Sequence, residues 1–428
     1  MRRRYVPILV ALGTAYLLIA SGCGSPPGGS TTGTTGSVGS TTGQVVTSNP
    51  QGTIPWAQIQ GQTNVVATMR TNDSGTTVTE IPCEIFTAQV SNVNLSGVQE
   101  TGVQDLHCQP GNNRPVYEGD SGSPVLINGN IVGGLFGSAN GVTFDARGIQ
   151  QEMAAESGPP KASPSRATGA VKALGLRYFA GSQRMYNILK AKPGFSNLVF
   201  VPYPVAASRA PIGSAAPIPG LRFASPFING PYAQGYDAAT YTYELQSGLW
   251  VATAHGLEDA GAVSWPVMSF YVDGFSSGAV SGHLIGNVYG TLVYDGQEGS
   301  VINPNIAAAT MPVVVHTNLN LVPLAPVTHQ VRFDLGSSTE EMSVEAAAQS
   351  TLDAQLQGAA NQVTANGSIS ITAGGATQSF NFNFVAAESQ TNFLDSLGNQ
   401  IDADLASHYK TSPNVQVQSI TITLTATT

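Results

Sequence analysis

Residues Tyr117 to Gly137 read YEGDSGSPVLINGNIVGGLFG, and the reading of the fold turns on this stretch. Its second half is a hairpin by rule: VLI and NIV are apolar runs, and Asn128-Gly129 supplies the positive φ of a tight turn. Its first half, EGDSGSP, sets a serine hydroxyl in a sharp, glycine-flanked bend. A hydroxyl is a poor nucleophile until a base takes its proton. The bend would also aim backbone N–H groups at a developing oxyanion, with Gly119 and Ser121 as donors. Gly122 would allow close approach, and Pro124 leads into the strand. Read without chemistry, the same letters are a type I or type II turn, because Gly, Asp and Ser dominate turns.

A nucleophile at Ser121 needs a base from elsewhere in the chain. The six histidines are His107, His255, His283, His316, His329 and His408. Five stand in loops or at strand ends with bland surroundings. His255 differs: LWVATAHG is an apolar strand ending on a small-residue corner, where an imidazole would be rigidly held. The corner is similar to the TAAH corner of chymotrypsin-like enzymes, although here the serine segment precedes the histidine segment.

That order resembles the stage IV sporulation protein B peptidases, in particular the longer exported bacterial proteins that carry this domain. The likeness rests on GDSGSPVLINGNIVGGLFG, on ARGIQQEM (Ala146 to Met153) and on ATYTYELQSGLWVATAHGLEDAG. VYGTLVYDGQEGSV, ATMPVVV and EIPCEIFTAQVSNV add to it. It spans roughly residues 60–155 and 235–320. Asp120 stands where that family carries Met and resembles the aspartate of trypsin-type loops, which implies that it points into the protein and braces the oxyanion loop; no PDZ domain is recognisable. The resemblance implies a mainly β, chymotrypsin-like double β-barrel with its segments in permuted order, Ser121 as nucleophile and His255 as base. The family's acid lies upstream of the serine, and Asp105 in TGVQDLHC is nearest to that place, with a solvated turn aspartate as the other reading. Asp259 could orient the imidazole locally or be a surface charge.

The rest of the chain fits an exported β protein. Of 428 residues only 10% are charged, 48 are Gly and 26 are Pro, a profile of strands and turns rather than of helices or disorder. The net charge of -9 without a basic run argues against nucleic acid as a partner. MRRRYVPILVALGTAYLLIASGC has a basic start, an apolar core and a lipobox-like Ala20-Ser21-Gly22-Cys23. Residues 1–22 therefore read as a lipoprotein signal peptide and Cys23 as the lipidated residue, with an ordinary secretory signal or a single membrane anchor as alternatives. Residues 23–53, rich in Gly, Ser and Thr, read as a tether. The two remaining cysteines, Cys83 and Cys108, are expected to form a disulfide, whose loop closure would contribute about 3 kcal/mol.

The expected organisation is a first β block at 54–155 with Ser121, a connecting region at 156–234, a second β block at 235–322 with His255, and a C-terminal α+β or sandwich-like domain at 323–428. No Cys/His cluster, HExxH or EF-hand spacing is present, so neither metal nor other cofactor is expected. Trp250 and Trp265 flank His255 and would either line a cleft or pack in the core. The functional expectation is a lipid-anchored serine endopeptidase of the bacterial envelope, acting on a peptide or protein and able to process itself. The rival is an inactive lipoprotein that keeps the scaffold and binds a partner by strand addition.

Overall fold

The computed structural model describes residues 44–46, 49–95, 98–111, 114–117, 119–138, 142–157, 177–192, 195, 198–202, 214–276, 279–333, 338–356, 363–387, 390–411 and 415–427. The signal segment, Cys23 and most of the tether lie outside them, as does most of the Pro/Ser-rich stretch near 158–176. No helix among the described residues is long and apolar enough to cross a membrane.

Six strands follow the tether: β1 (Thr63–Ser74), β2 (Thr77–Leu95), β3 (Val98–Pro110), β4 (Pro124–Ile127), β5 (Asn130–Gly137) and β6 (Phe144–Gly148). Each pairs antiparallel with two neighbours, in the order β1–β2–β3–β6–β5–β4 and back to β1, so the sheet closes on itself. The β4–β5 turn has Asn128 at φ 49° and Gly129 at φ 76°, as its sequence requires. Alternate residues turn inward, among them Met69, Ile85, Leu106, Val125, Leu135 and Phe144, and fill the barrel.

A second set of six repeats the pattern: β7 (Arg222–Asn229), β8 (Gln234–Glu244), β9 (Trp250–Ala252), β10 (Gly261–Ser276), β11 (Ala279–Gly296) and β12 (Gly299–Asn303). Here the ring runs β7–β8–β9–β12–β11–β10 and back to β7. The two barrels therefore share one connectivity. Phe223, Tyr241, Trp250, Trp265, Leu292 and Ile302 belong to the second core, so both tryptophans are packing residues. The fold class read from the sequence, a mainly β chymotrypsin-like double barrel with a C-terminal α+β part, is the fold observed.

The boundaries of the second block need correction. Its barrel begins at Arg222, inside the stretch expected to be a connection, and ends at Asn303. The strand β13 (Thr310–Leu319) belongs instead with β14 (Val327–Arg332), and β14 also pairs with β7 through Ile228↔Val331. The C-terminal sheet thus continues the barrel wall and is not a separate appendage. It goes on through the final strand β17 (Val417–Thr427) to the hairpin of β15 (Val363–Ala373) and β16 (Ala376–Ala387). Helix α1 (Ser338–Leu356) packs on this sheet beneath α2 (Gln390–Thr411) and is buried on nearly every side, which explains why its sequence is rich in Ala and lacks an apolar stripe.

The expected disulfide is absent. Register sets Ile85 opposite Cys108 and Cys83 opposite Pro110 on β2 and β3, so the two cysteines are diagonal neighbours. Both are free, buried thiols, and the Cys108 thiol donates to the Leu106 carbonyl at 3.3 Å. Burial, aided by Glu80, pushes the Cys83 thiol up to about 12, and burial raises Cys108 likewise.

Candidate active site

Ser121 lies in the connection between the third and fourth strands of the first barrel. His255 lies in the equivalent connection, from β9 to β10, of the second. The fold brings these two turns face to face: Ser121 Oγ–H donates to His255 Nε2 at 2.8 Å, across 134 residues of sequence. The other ring nitrogen, Nδ1, donates to the Gly256 carbonyl at 2.6 Å. Together these bonds select the tautomer with its lone pair on Nε2, facing the hydroxyl.

The serine loop is held from inside. Gly119 has φ 95°, and its carbonyl accepts from Arg222 Nη1 and, at 3.2 Å, from Thr240 Oγ1. Asp120 is wholly buried; it accepts from Arg222, from Arg114 Nη1 at 2.9 Å and from the Tyr117 amide at 2.8 Å. Burial works to raise its carboxyl, and Arg114 and Arg222 overrule that effect, holding it at about 2. Asp120 thus ties the serine loop to Arg222, Arg114 and the Tyr117 amide. Among the described residues, neither the Gly119 nor the Ser121 amide is engaged by a protein acceptor, which leaves both expected oxyanion donors available. Gly122, at φ 88°, does more than admit a close neighbour: a Cβ there would sit 2.1 Å from the Thr240 carbonyl and 2.6 Å from the Thr253 amide. Ser121 O also accepts from the Thr240 amide at 2.8 Å, so the loop is stitched to the second barrel.

The histidine corner is strained and clamped. Thr253 and Ala254 stand at φ 71° and 55°, a region that costs residues with side chains about 1–3 kcal/mol each. Thr253 Oγ1 donates to the His255 carbonyl. Arg147 Nε, reaching across from β6, donates to the Ala254 carbonyl at 2.9 Å, and its Nη2 pairs with Glu100 at 2.5 Å. Past the histidine, the amides of Leu257, Glu258 and Ala260 all donate to the Asp295 carboxylate, at 2.7, 2.8 and 3.3 Å. Ser300 Oγ adds a fourth bond at 3.0 Å. Burial drives the imidazole down to about 4; its bond to Gly256 opposes this and Arg147 adds to it.

Among the described residues, no carboxylate forms a hydrogen bond with the imidazole. Asp105, expected as the acid, is instead a β3 residue paired with Arg147 in register, and its Oδ2 accepts from Ser91 at 2.9 Å. Burial, with Asp145 adding, pushes its carboxyl up to about 6, and its place on β3 turns it to Ser91 and not to the imidazole. The Gly256 carbonyl holds the orienting position. The sequence reading missed Arg222, Arg147 and Asp295, which fix the two loops. Asp295 sits in VYDGQEGSV, where an acid ahead of a glycine reads as an ordinary turn residue. Glu152, also missed, is wholly buried beside Thr242 and the Ala254 amide without reaching hydrogen-bond geometry. Burial pushes its carboxyl up to about 8.

Comparison with protein families, with curated proteins and with solved structures finds no match to this chain.

Proposed function

We propose that the chain is a serine endopeptidase working with a Ser121–His255 dyad. The observation that carries this reading is the 2.8 Å contact between Ser121 Oγ and the lone-pair nitrogen of His255, formed where the two barrels meet. In the reaction, Oγ attacks the peptide carbonyl carbon as its proton passes to Nε2. The carbonyl oxygen becomes an oxyanion facing the Gly119 and Ser121 amides. Collapse expels the amine, which takes the proton from Nε2, and water then repeats the sequence on the acyl-enzyme.

The orienting group is a peptide carbonyl, so the imidazolium gains a dipole where a triad offers a full negative charge, and Arg147 works against it. Slow turnover follows in acylation and deacylation alike, because the same imidazole serves both steps. That suits a substrate presented at high local concentration, including the chain itself. The same missing acid is what favours the second reading, a scaffold that binds a peptide without cleaving it.

A fluorophosphonate probe separates the two. Wild type is expected to label at one residue, while Ser121→Ala and His255→Ala are expected not to; equal labelling of all three, or of none, removes the peptidase reading. Likeness to the stage IV sporulation protein B peptidases and a lipid anchor at Cys23 in the bacterial envelope belong to the same proposal. They rest on GDSGSPV, ARGIQQEM and the lipobox-like ASGC. Incorporation of labelled palmitate into wild type but not into Cys23→Ser tests the anchor.

A further inference from the structure

Three residues beyond His255, the side chain of Glu258 leaves the corner for a buried cluster that the dyad chemistry does not use. Its carboxylate accepts from two guanidiniums, Arg177 Nη2 and Arg332 Nη2. All three side chains are almost inaccessible to water. Arg332 also lies 3.4 Å from Asp237 Oδ2, and its guanidinium stacks 3.9 Å from the centroid of Trp265. Arg177 lies 3.8 Å from Asp237 Oδ1 and over the rings of Phe195 and Phe227, at 4.8 and 5.9 Å. Neither arginine belongs to the second barrel. Arg332 ends β14, the strand that joins β7 to the C-terminal sheet, and Arg177 opens the short strand Arg177–Gly181.

Glu258 is therefore gripped at both ends, by its amide on Asp295 and by its carboxylate on residues from outside the barrel. A corner with three left-handed residues, Thr253, Ala254 and Asp259, does not keep its shape by local preference; surrounding contacts must impose it. We infer that Glu258 and Arg332 are positioning residues for His255, and that through them the C-terminal sheet governs whether the dyad is assembled. This inference rests on the proposed dyad for its functional meaning, but the geometry it concerns can be read without turnover. The charged groups facing the corner are Arg147, Glu100 and Glu152 from the first barrel and Asp237 and Asp295 from the second. Asp259 within the corner, with Arg177 and Arg332, completes the set. Any ligand or cleavage event that shifts β14 would act on the histidine by this route.

The test uses the full chain with Glu258→Gln, Arg332→Met and the double variant Glu258→Met/Arg332→Met. Glu258→Gln keeps the shape and loses the charge-assisted grip. Two readouts are taken: the second-order rate of fluorophosphonate labelling, and the titration of the His255 imidazole followed by NMR. The expected result for Glu258→Gln is a labelling rate lower by about 10-fold or more, with the imidazole titrating at higher pH as the corner loosens and admits water. In the double variant, which removes the buried charge imbalance, thermal stability is expected to recover above that of Arg332→Met while labelling stays low. An unchanged imidazole titration in Glu258→Gln overturns the inference, as does a double variant that labels at the wild-type rate. Should wild type fail to label, the dyad proposal falls, and the NMR titration still decides whether Glu258 positions the ring. Should Arg332→Met not fold, Glu258→Gln alone gives the decision.

Discussion

At the scale of single residues, the most telling number is the separation between His255 and its ordinary titration range. A base must be neutral to accept the serine proton. An imidazole pushed down to about 4 stays neutral through the mildly acid range. The fluorophosphonate rate is therefore expected to be flat from pH 8 to about pH 5 and half-maximal near pH 4. Half-maximal labelling near 6.5 would mean that the ring is solvated and the corner open. Gly122 gives a second prediction at this scale. Its φ is left-handed and the atoms a Cβ would strike are backbone, which cannot rotate away. Gly122→Ala is expected to cost about 3 kcal/mol or more in urea unfolding and to abolish labelling. Gly61→Ala, equally left-handed but with open space around it, should cost only about 1 kcal/mol. Ser121 and His255 were legible in the sequence because their chemistry demands rare settings, a glycine-flanked turn and a small-residue corner after an apolar strand. Arg222, Arg147 and Asp295 were not, since a lone charge in a β-rich sequence looks the same whether it faces water or a buried carbonyl. Asp105 was misplaced for a related reason: distance along the chain from the serine says nothing about which way a strand residue points.

At the scale of elements, the loop after His255 depends on one acceptor. The Asp295 carboxylate takes three backbone amides and one hydroxyl, a number that an amide side chain cannot match. Asp295→Asn presents N–H groups to donors and leaves at least one buried amide unserved, at a cost of about 1–3 kcal/mol. The expected outcome is a cooperative fold with a lower melting temperature and slower labelling; an unchanged labelling rate would show the loop to be rigid without it. Strands were legible here where pattern and turn chemistry agree. The β4–β5 hairpin was read from Asn-Gly, and the last strand from strict alternation, which puts Ile420, Ile422 and Leu424 inward. Register was not legible, and the disulfide failed on register. Counting cysteines pairs Cys83 with Cys108; only the offset between β2 and β3, set by the pairing of Leu95 opposite Val98 and unchanged at the cysteines because the bulges near Ile85 and Ser91 cancel, shows that they do not face one another. Ellman's reagent should thus find neither thiol in the native protein and both after denaturation, whereas a failure to find them in denatured, unreduced protein would restore the cross-link.

At the scale of the whole molecule, two barrels of one connectivity meet so that equivalent turns face each other, and no repeat in the sequence announces it. The shared ring is a property of pairing between distant strands, which is why the chain suggested two β blocks but misjudged where the second begins. Joining two barrels and a third sheet also buries acids whose loss of water outweighs the partners they keep, Arg177 and Arg332 beside Asp237 and Lys192 beside Glu345 among them. Burial is the largest cause in each case, and it pushes Asp105 up to about 6, Asp237 and Glu345 to about 7, and Glu152 to about 8. Above their ordinary values, near 4, the unfolded chain has released these protons while the folded chain still holds them. Stability therefore falls as pH rises, from about 4.5 until each folded group titrates. His255 and His329, both pushed down to about 4 by burial, act the other way below 6.5, where only the unfolded chain takes up the proton. Four carboxyls outweigh two imidazoles, and Asp120, at about 2, is ionised in both states throughout this range. The melting temperature is accordingly expected to be higher at pH 5 than at pH 8. Glu152→Gln, which removes the acid that titrates last, should flatten the decline: no gain at pH 4, and a gain on the order of a few kcal/mol at pH 8. A melting temperature that climbs between pH 5 and pH 8 would mean that water reaches these carboxyls and that the barrels do not close on one another as tightly as the packing indicates.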